Sequence, residues 1–285
     1  VTTLDELASD IEERERQVAG IKPDNEARIV FGAGVPHERL PLSVVYLHGF
    51  TASQAEGAPA HRTIAHACAA HLFLDRLTGH GTDEPEAMAG ASPERWREDA
   101  DAALEIGLRL GEKIVLVCTS MGASLALDLA VRRPDAVAAV VAWSPGIRVH
   151  DPEQLRAAVL LQGAVVPPGE RSPFQRRYWS SVVHSDGYRA IARLFIEWMR
   201  PERLGSIVCP VFFGVWDGGE GDRDTLTSVA AMREAFTWLG TAPSRRRLVA
   251  YDHAAHVLAS PERSPAAARV LADSLAFLRD MGVAH

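Results

Sequence analysis

Lys113-Ile-Val-Leu-Val-Cys118-Thr-Ser120-Met-Gly122-Ala123 joins two elements of different type through a very short turn. Its first half is a short, continuous apolar run, the pattern of a strand buried on both faces. From Ala123 to Arg133 apolar residues recur at three- and four-residue spacing, the pattern of a helix. Thr119, Ser120, Met121 and Gly122 are all that joins them. A serine on so sharp a strand-to-helix turn holds its hydroxyl clear of the sheet, at the positive end of the following helix. The turn is crowded, and its usual form is Gly-x-Ser-x-Gly. Gly122 supplies the second glycine, while Cys118 stands where the first is expected. Ser120 therefore reads either as a nucleophile or as an ordinary turn residue, and Cys118 as a side chain packed between strand and helix.

Working outward, the same alternation continues. Strands are expected at 28–31, 43–47, 71–74, 113–118, 136–143, 210–216 and 247–251. Helices are expected at 60–70, 92–110, 123–133, 226–239 and 266–281. Leu4, Leu7, Ile11 and Val18 add an amphipathic helix at the N-terminus, ending near Gly20 and stopped by Pro23. Strand alternating with helix is the signature of an α/β fold with a mostly parallel central sheet flanked by helices. The segment 145–205 breaks the rhythm. It shows no convincing strand and is rich in proline and in aromatic residues such as Phe174, Tyr178, Trp179, Tyr188 and Trp198. It reads as a helical cap inserted into a core made of 1–144 and 206–285, either merely packing on that core or forming a lid over a pocket.

A second turn follows another strand, Val44-Val-Tyr-Leu-His48-Gly49-Phe50. A His-Gly step there makes a tight turn with exposed backbone N–H groups. The N–H of Phe50, with that of Met121, is positioned to hold the oxyanion of a tetrahedral intermediate, and His48 reads as a structural residue facing away from it.

His48-Gly-Phe50 after one strand, Leu77-Thr-Gly-His-Gly81 after the next and Ser120-Met-Gly122 after the third resemble the α/β-hydrolase superfamily. Within it the pattern is similar to serine carboxylesterases and monoacylglycerol-lipase-like enzymes. The resemblance spans the chain from about Arg28 to the C-terminus and places that superfamily's cap at 145–205. Only one strand candidate precedes the oxyanion strand where the family often has two, so a reduced sheet edge is expected. The resemblance implies the order serine, acid, histidine. His256, in Asp252-His253-Ala-Ala-His256-Val-Leu258, matches the family's histidine better than His253. The acid is ambiguous in Asp217-Gly-Gly-Glu220-Gly-Asp222-Arg-Asp224-Thr-Leu226. Asp224 matches Gly-x-x-Asp-x-aliphatic, whereas counting from the strand end favours Asp217. Asp222 and Glu220 remain open, and Asp224 also stands where a helix N-cap could sit.

The implied activity is a serine hydrolase acting on carboxylic esters of small to medium acyl chain, with Ser120, Asp224 and His256 as the triad. No metal and no organic cofactor is implied, and the expected partner is a small-molecule ester. A thioesterase or C–C hydrolase would use the same residues. A catalytically silent, ligand-binding protein is the alternative from another class, with Cys118 and the ambiguous acid as its support. Composition agrees with a globular protein. The 285 residues are 47% hydrophobic and 24% charged, and 30 basic against 37 acidic residues give a net charge of −7. Such a chain has no bulk attraction for nucleic acid or anionic lipid. No apolar run approaches the roughly 20 residues of a membrane span, and the acidic stretch from Thr2 to Arg16 lacks a signal-peptide layout. Three widely spaced cysteines, Cys68, Cys118 and Cys209, suit a reducing compartment, so a cytoplasmic location is expected.

Overall fold

The apolar strands are continuous because both of their faces are covered. The computed structural model describes residues 3–285. In chain order the elements are α1 (Leu4–Arg16), β1 (Arg28–Val30), β2 (Leu40–Leu47), α2 (Ala60–Ala67), β3 (His71–Leu74), α3 (Pro93–Leu110) and β4 (Gly111–Thr119). There follow α4 (Met121–Arg132), β5 (Val137–Trp143), α5 (Pro152–Val159), β6 (Ala164–Val165), α6 (Pro173–Tyr178), β7 (Val183–His184), α7 (Ser185–Trp198) and α8 (Pro201–Leu204). The chain closes with β8 (Val211–Gly219), β9 (Asp222–Arg223), α9 (Val229–Trp238), β10 (Arg246–Tyr251) and α10 (Ala267–Asp280). Along β4, Leu116 and Cys118 join one apolar layer with α1, α3, α4, α7 and α9. Val115 and Val117 join the opposite layer with α2 and α10. This is the α/β-hydrolase fold expected from the sequence.

The sheet order is β1-β3-β2-β4-β5-β8-β10, with β9 paired to β8. Neighbours from β3 to β10 are parallel, while β1 runs antiparallel to β3 at the edge. A single strand therefore precedes β2, the reduced edge that the sequence implied. After β2 the chain moves one way to β3 and then returns to the other side of β2 as β4. The strand order thus reverses between β2 and β4, and in open α/β sheets ligands bind in the crevice at the carboxyl ends of such strands.

Three differences from the expected elements have local causes. The helix α1 stops at Arg16, and Val18 is 42% exposed, off its buried face. Within 145–205 a two-residue pair of strands, β6 and β7, forms where none was expected; two residues are too few to show alternation. The strand β8 continues past Trp216 and folds back as a hairpin with β9. The segment 145–205 also divides by burial. No residue of α5 is buried, whereas Leu194, Phe195 and Trp198 of α7 lie in the same apolar layer as α3 and α4.

Candidate active site

Ser120 sits between β4 and α4 at φ 52° and ψ −120°. A non-glycine residue there stores roughly 1–3 kcal/mol of strain and persists only when its surroundings hold it. Three backbone bonds do so. The Ser120 N–H donates to Trp143 O at 3.0 Å, and its carbonyl accepts from Ala123 at 2.9 Å and from Gly146 at 2.9 Å. Gly122 is compulsory, since a Cβ on it would lie 2.1 Å from the backbone oxygen of Leu47. Cys118 fits without displacing the helix. It is buried in the layer beneath α4, and its thiol donates to Val141 O at 3.4 Å. Burial pushes that thiol well above its ordinary pKa, so it is inert as a nucleophile.

The β2 turn lies against the serine: a Cβ on Gly49 would be 3.2 Å from Ser120 Cβ. His48 is wholly buried and accepts the Leu77 N–H on Nε2 at 3.1 Å. Its proton is therefore on Nδ1, which donates to Gly49 O at 2.9 Å. Burial lowers its pKa to about 4, so it stays neutral. It is a structural residue of the turn, as its sequence position suggested. Among the described residues, no protein acceptor takes the N–H of Phe50 or of Met121. Met121 opens α4, so the positive end of the helix adds to the donors.

His256 Nδ1 lies 2.7 Å from Asp224 Oδ2. Asp224 is fully buried. Its Oδ1 accepts the N–H groups of Leu226 at 2.8 Å and Thr227 at 3.1 Å, and its Oδ2 also accepts the Thr227 hydroxyl at 3.0 Å. Burial by itself would raise this carboxyl, but the His256 charge and hydrogen bond, with the two N–H groups, outweigh it and hold the pKa at about 2. Burial likewise favours neutral His256, and Asp224 overrides that, with Glu56 adding to it, so the imidazole pKa is raised. With Asp224 ionised, Nδ1 carries the proton and Nε2 is left as the basic nitrogen.

The other acids point elsewhere. Asp217 pairs with Arg233 at 2.7 Å. Asp222 accepts the Trp216 indole N–H at 2.6 Å and the His253 backbone N–H at 2.7 Å, bracing the loop that carries His256. Glu220 is exposed on the hairpin, and so is the side chain of His253. Asp224 does not cap α9; Ser228 does. The hairpin explains the ambiguous spacing, because the Asp224 N–H bonds to Trp216 O at 3.1 Å and so returns Asp224 to the strand end.

Two contributors were not singled out from sequence. Thr227 was hidden as one more loop hydroxyl. Glu56, 2% exposed beside Gly49, is a lone acid in the run Ala52-Ser-Gln-Ala-Glu56-Gly-Ala-Pro-Ala60, and that isolation was its only signal. Above the site, Tyr188 of α7 meets the Phe50 ring at 5.5 Å. Phe174, Tyr178 and Trp179 pack with Ala52 and Val257, the latter adjacent to His256.

A family model described as serine aminopeptidase, S33 (Hydrolase_4) matches residues 41–178, which include the β2 turn and Ser120. No curated protein is significantly similar in sequence. Among solved structures, one reported for LipS and LipT, two metagenome-derived lipolytic enzymes, is 20% identical with a TM-score of 0.72, covering 91% of this chain and 99% of that one. The monoacylglycerol lipase of Paleococcus ferrophilus is 16% identical with a TM-score of 0.67, covering 90% and 99%. Est1E from Butyrivibrio proteoclasticus, solved with ferulic acid bound, is 15% identical with a TM-score of 0.62, covering 93% and 99%. At these identities the likeness is one of fold.

Proposed function

We propose, from the premise that the chain belongs to the α/β-hydrolase superfamily, that it is a serine hydrolase of carboxylic esters with Ser120, His256 and Asp224 as its triad. The observation that carries this reading is the buried 2.7 Å bond between Asp224 and His256, at the same carboxyl end of the parallel strands as a strained serine opening a helix. Ser120 Oγ attacks the ester carbonyl carbon while His256 Nε2 takes its proton. The carbonyl oxygen becomes an oxyanion held by the N–H groups of Phe50 and Met121. The tetrahedral intermediate collapses, His256 returns the proton to the departing alcohol, and the acyl group stays on Ser120. Water, deprotonated by His256, then releases the acid. Asp224 orients the imidazole and stabilises its cation throughout.

The segment 145–205 serves in this reading as the lid. Its Tyr188 and Trp179, with Phe50, offer an aromatic wall suited to a small or medium acyl group. The family description supports serine-hydrolase chemistry over the silent-binder alternative, and the lipases and esterases that share the fold favour esters as the substrate class. The buried fit of Cys118 weakens one of that alternative's two supports, and the pairing of Asp224 with His256 weakens the other.

Incubation with a fluorophosphonate, followed by peptide mass spectrometry, tests the reading. The adduct is expected on Ser120 and is expected to vanish in Ser120→Ala. A folded protein that forms no adduct and hydrolyses no p-nitrophenyl ester of any chain length would overturn it.

A further inference from the structure

Glu56 is a buried carboxylate that the triad does not use, yet it lies against the same glycine as Ser120. It lies in the 3-10 turn Gln54–Gly57 and is 2% exposed. Its Oε2 accepts the Gly49 N–H at 2.6 Å and the Tyr46 hydroxyl at 3.4 Å. The same hydroxyl shares a 3.0 Å hydrogen bond with Thr119 Oγ1, on the residue before Ser120. Glu56 thereby ties the oxyanion turn to the end of the nucleophile strand. A Cβ on Gly49 would meet Glu56 Oε1 at 2.9 Å and Ser120 Cβ at 3.2 Å, so carboxylate and serine flank one glycine.

The surroundings of Glu56 single out one charged partner. From the sheet it faces Tyr46, with Cys118 close to that hydroxyl, and burial keeps both protonated. From α2 comes His61, whose Nε2 bonds Gln54 O at 3.0 Å and whose pKa burial lowers to about 3. From α6 come Arg177, tied to Asp24, and Arg176, tied to Arg171 O. The cation that acts on Glu56 is His256, itself backed by Asp224.

We infer that Glu56 is a positioning residue of the ester-hydrolysing site, fixing the Gly49 N–H one peptide before the Phe50 N–H and so setting the pitch of the oxyanion turn, and supporting the imidazolium of His256 as a second carboxylate. The inference rests on the reading of Ser120 and His256 given above. Burial pushes the Glu56 carboxyl up to about 7, with the Gly49 N–H, His256 and Tyr46 only partly offsetting it. Burial raises the Glu56 carboxyl and, against burial, Asp224 raises the His256 imidazole, and interacting groups of this kind titrate as a pair. Ionised Glu56 holds the proton on His256 more tightly; a neutral amide does not.

Two variants separate the roles. Glu56→Gln keeps an acceptor for the Gly49 N–H and removes the charge, whereas Glu56→Ala removes both. In wild-type protein the acid limb of kcat/KM against pH, measured with p-nitrophenyl butyrate, is expected to contain two coupled ionisations. In Glu56→Gln it is expected to contain one, displaced to lower pH. Glu56→Ala is expected to lower kcat about 10- to 100-fold with KM nearly unchanged, somewhat less than outright loss of an oxyanion donor. The His256 imidazole resonance, assigned with His256→Ala, should titrate at lower pH in Glu56→Gln. Superimposable His256 titrations in wild type and Glu56→Gln would overturn the inference, as would wild-type kcat in Glu56→Ala. If the wild type hydrolyses no ester and Ser120 is not labelled, the functional reading fails instead, and the resonance titration still decides whether Glu56 acts on His256.

Discussion

Asp224 has no idle oxygen. Its Oδ1 is committed to the backbone N–H groups of Leu226 and Thr227, which have only protons to offer, so Oδ2 must face His256. Asparagine at this position would keep its oxygen on those N–H groups and turn its amide N–H₂ toward Nδ1. The imidazole would then accept on Nδ1 and carry its proton on Nε2, the nitrogen that receives the serine proton in the mechanism proposed above. Asp224→Asn is therefore expected to lower kcat about 10⁴-fold, as loss of the correct tautomer does in other triads, with its unfolding midpoint little changed. Asp217→Asn is the matched control: its carboxylate serves Arg233 on the molecular surface, and its turnover should stay within about twofold of wild type. Equal losses in the two variants would return the acid to the unresolved state in which the sequence leaves it.

At the scale of elements, what was legible depended on length and period. The long parallel strands and the helices between them announce themselves through continuous apolar runs and helical spacing. The excursion between Trp216 and Asp224 does not, because β9 has two residues and its hairpin makes no apolar face. Sequence distance there overstates spatial distance, so motif matching favoured Asp224 while strand counting favoured Asp217. Glu56 escaped for a different reason: its role comes from the fold bringing the 3-10 turn over Gly49, and no spacing rule encodes that. Ser120 was legible because the turn between β4 and α4 admits so few residue types. Gly122 is the strictest of them. A methyl group there would run into the backbone of Leu47 and His48, which β2 pairing with β4 prevents from moving away. The helix would have to lift instead, taking the Met121 N–H with it. Gly122→Ala is expected to lose about 3 kcal/mol or more of stability, read as a fall in the urea midpoint, together with most esterase activity. A midpoint equal to that of wild type would show that α4 already stands further from β2.

At the scale of the whole molecule, the question is how a segment inserted between β5 and β8 keeps its register over the sheet edge. Its first half has little to hold it, with α5 carrying no buried residue and Leu160 and Val166 exposed. Its second half is welded to the helical layer through α7, and the weld has a polar centre. Asp128 of α4, 1% exposed, accepts Arg97 of α3 at 3.0 Å and Arg132 of its own helix at 2.8 Å, and also pairs with Arg203 of α8. Arg97 in turn lies 3.6 Å over the Trp198 ring at the end of α7. One buried carboxylate thus joins α3 and α4 to both ends of the return path into β8. Removing one partner from a buried ion pair typically costs about 3–5 kcal/mol. The three guanidinium groups here are partly solvated, which reduces the penalty of leaving them unpaired, so about 2–3 kcal/mol is expected for Asp128→Asn. For a chain of this length that corresponds to a fall in Tm of roughly 3–5 °C. Asp128 lies two helical turns beyond Met121, so kcat at 25 °C should stay close to wild type while thermal inactivation comes earlier. An unchanged Tm would show that apolar packing of α7 alone secures the segment, and a large loss of kcat at 25 °C would show that this weld also sets the geometry around Ser120.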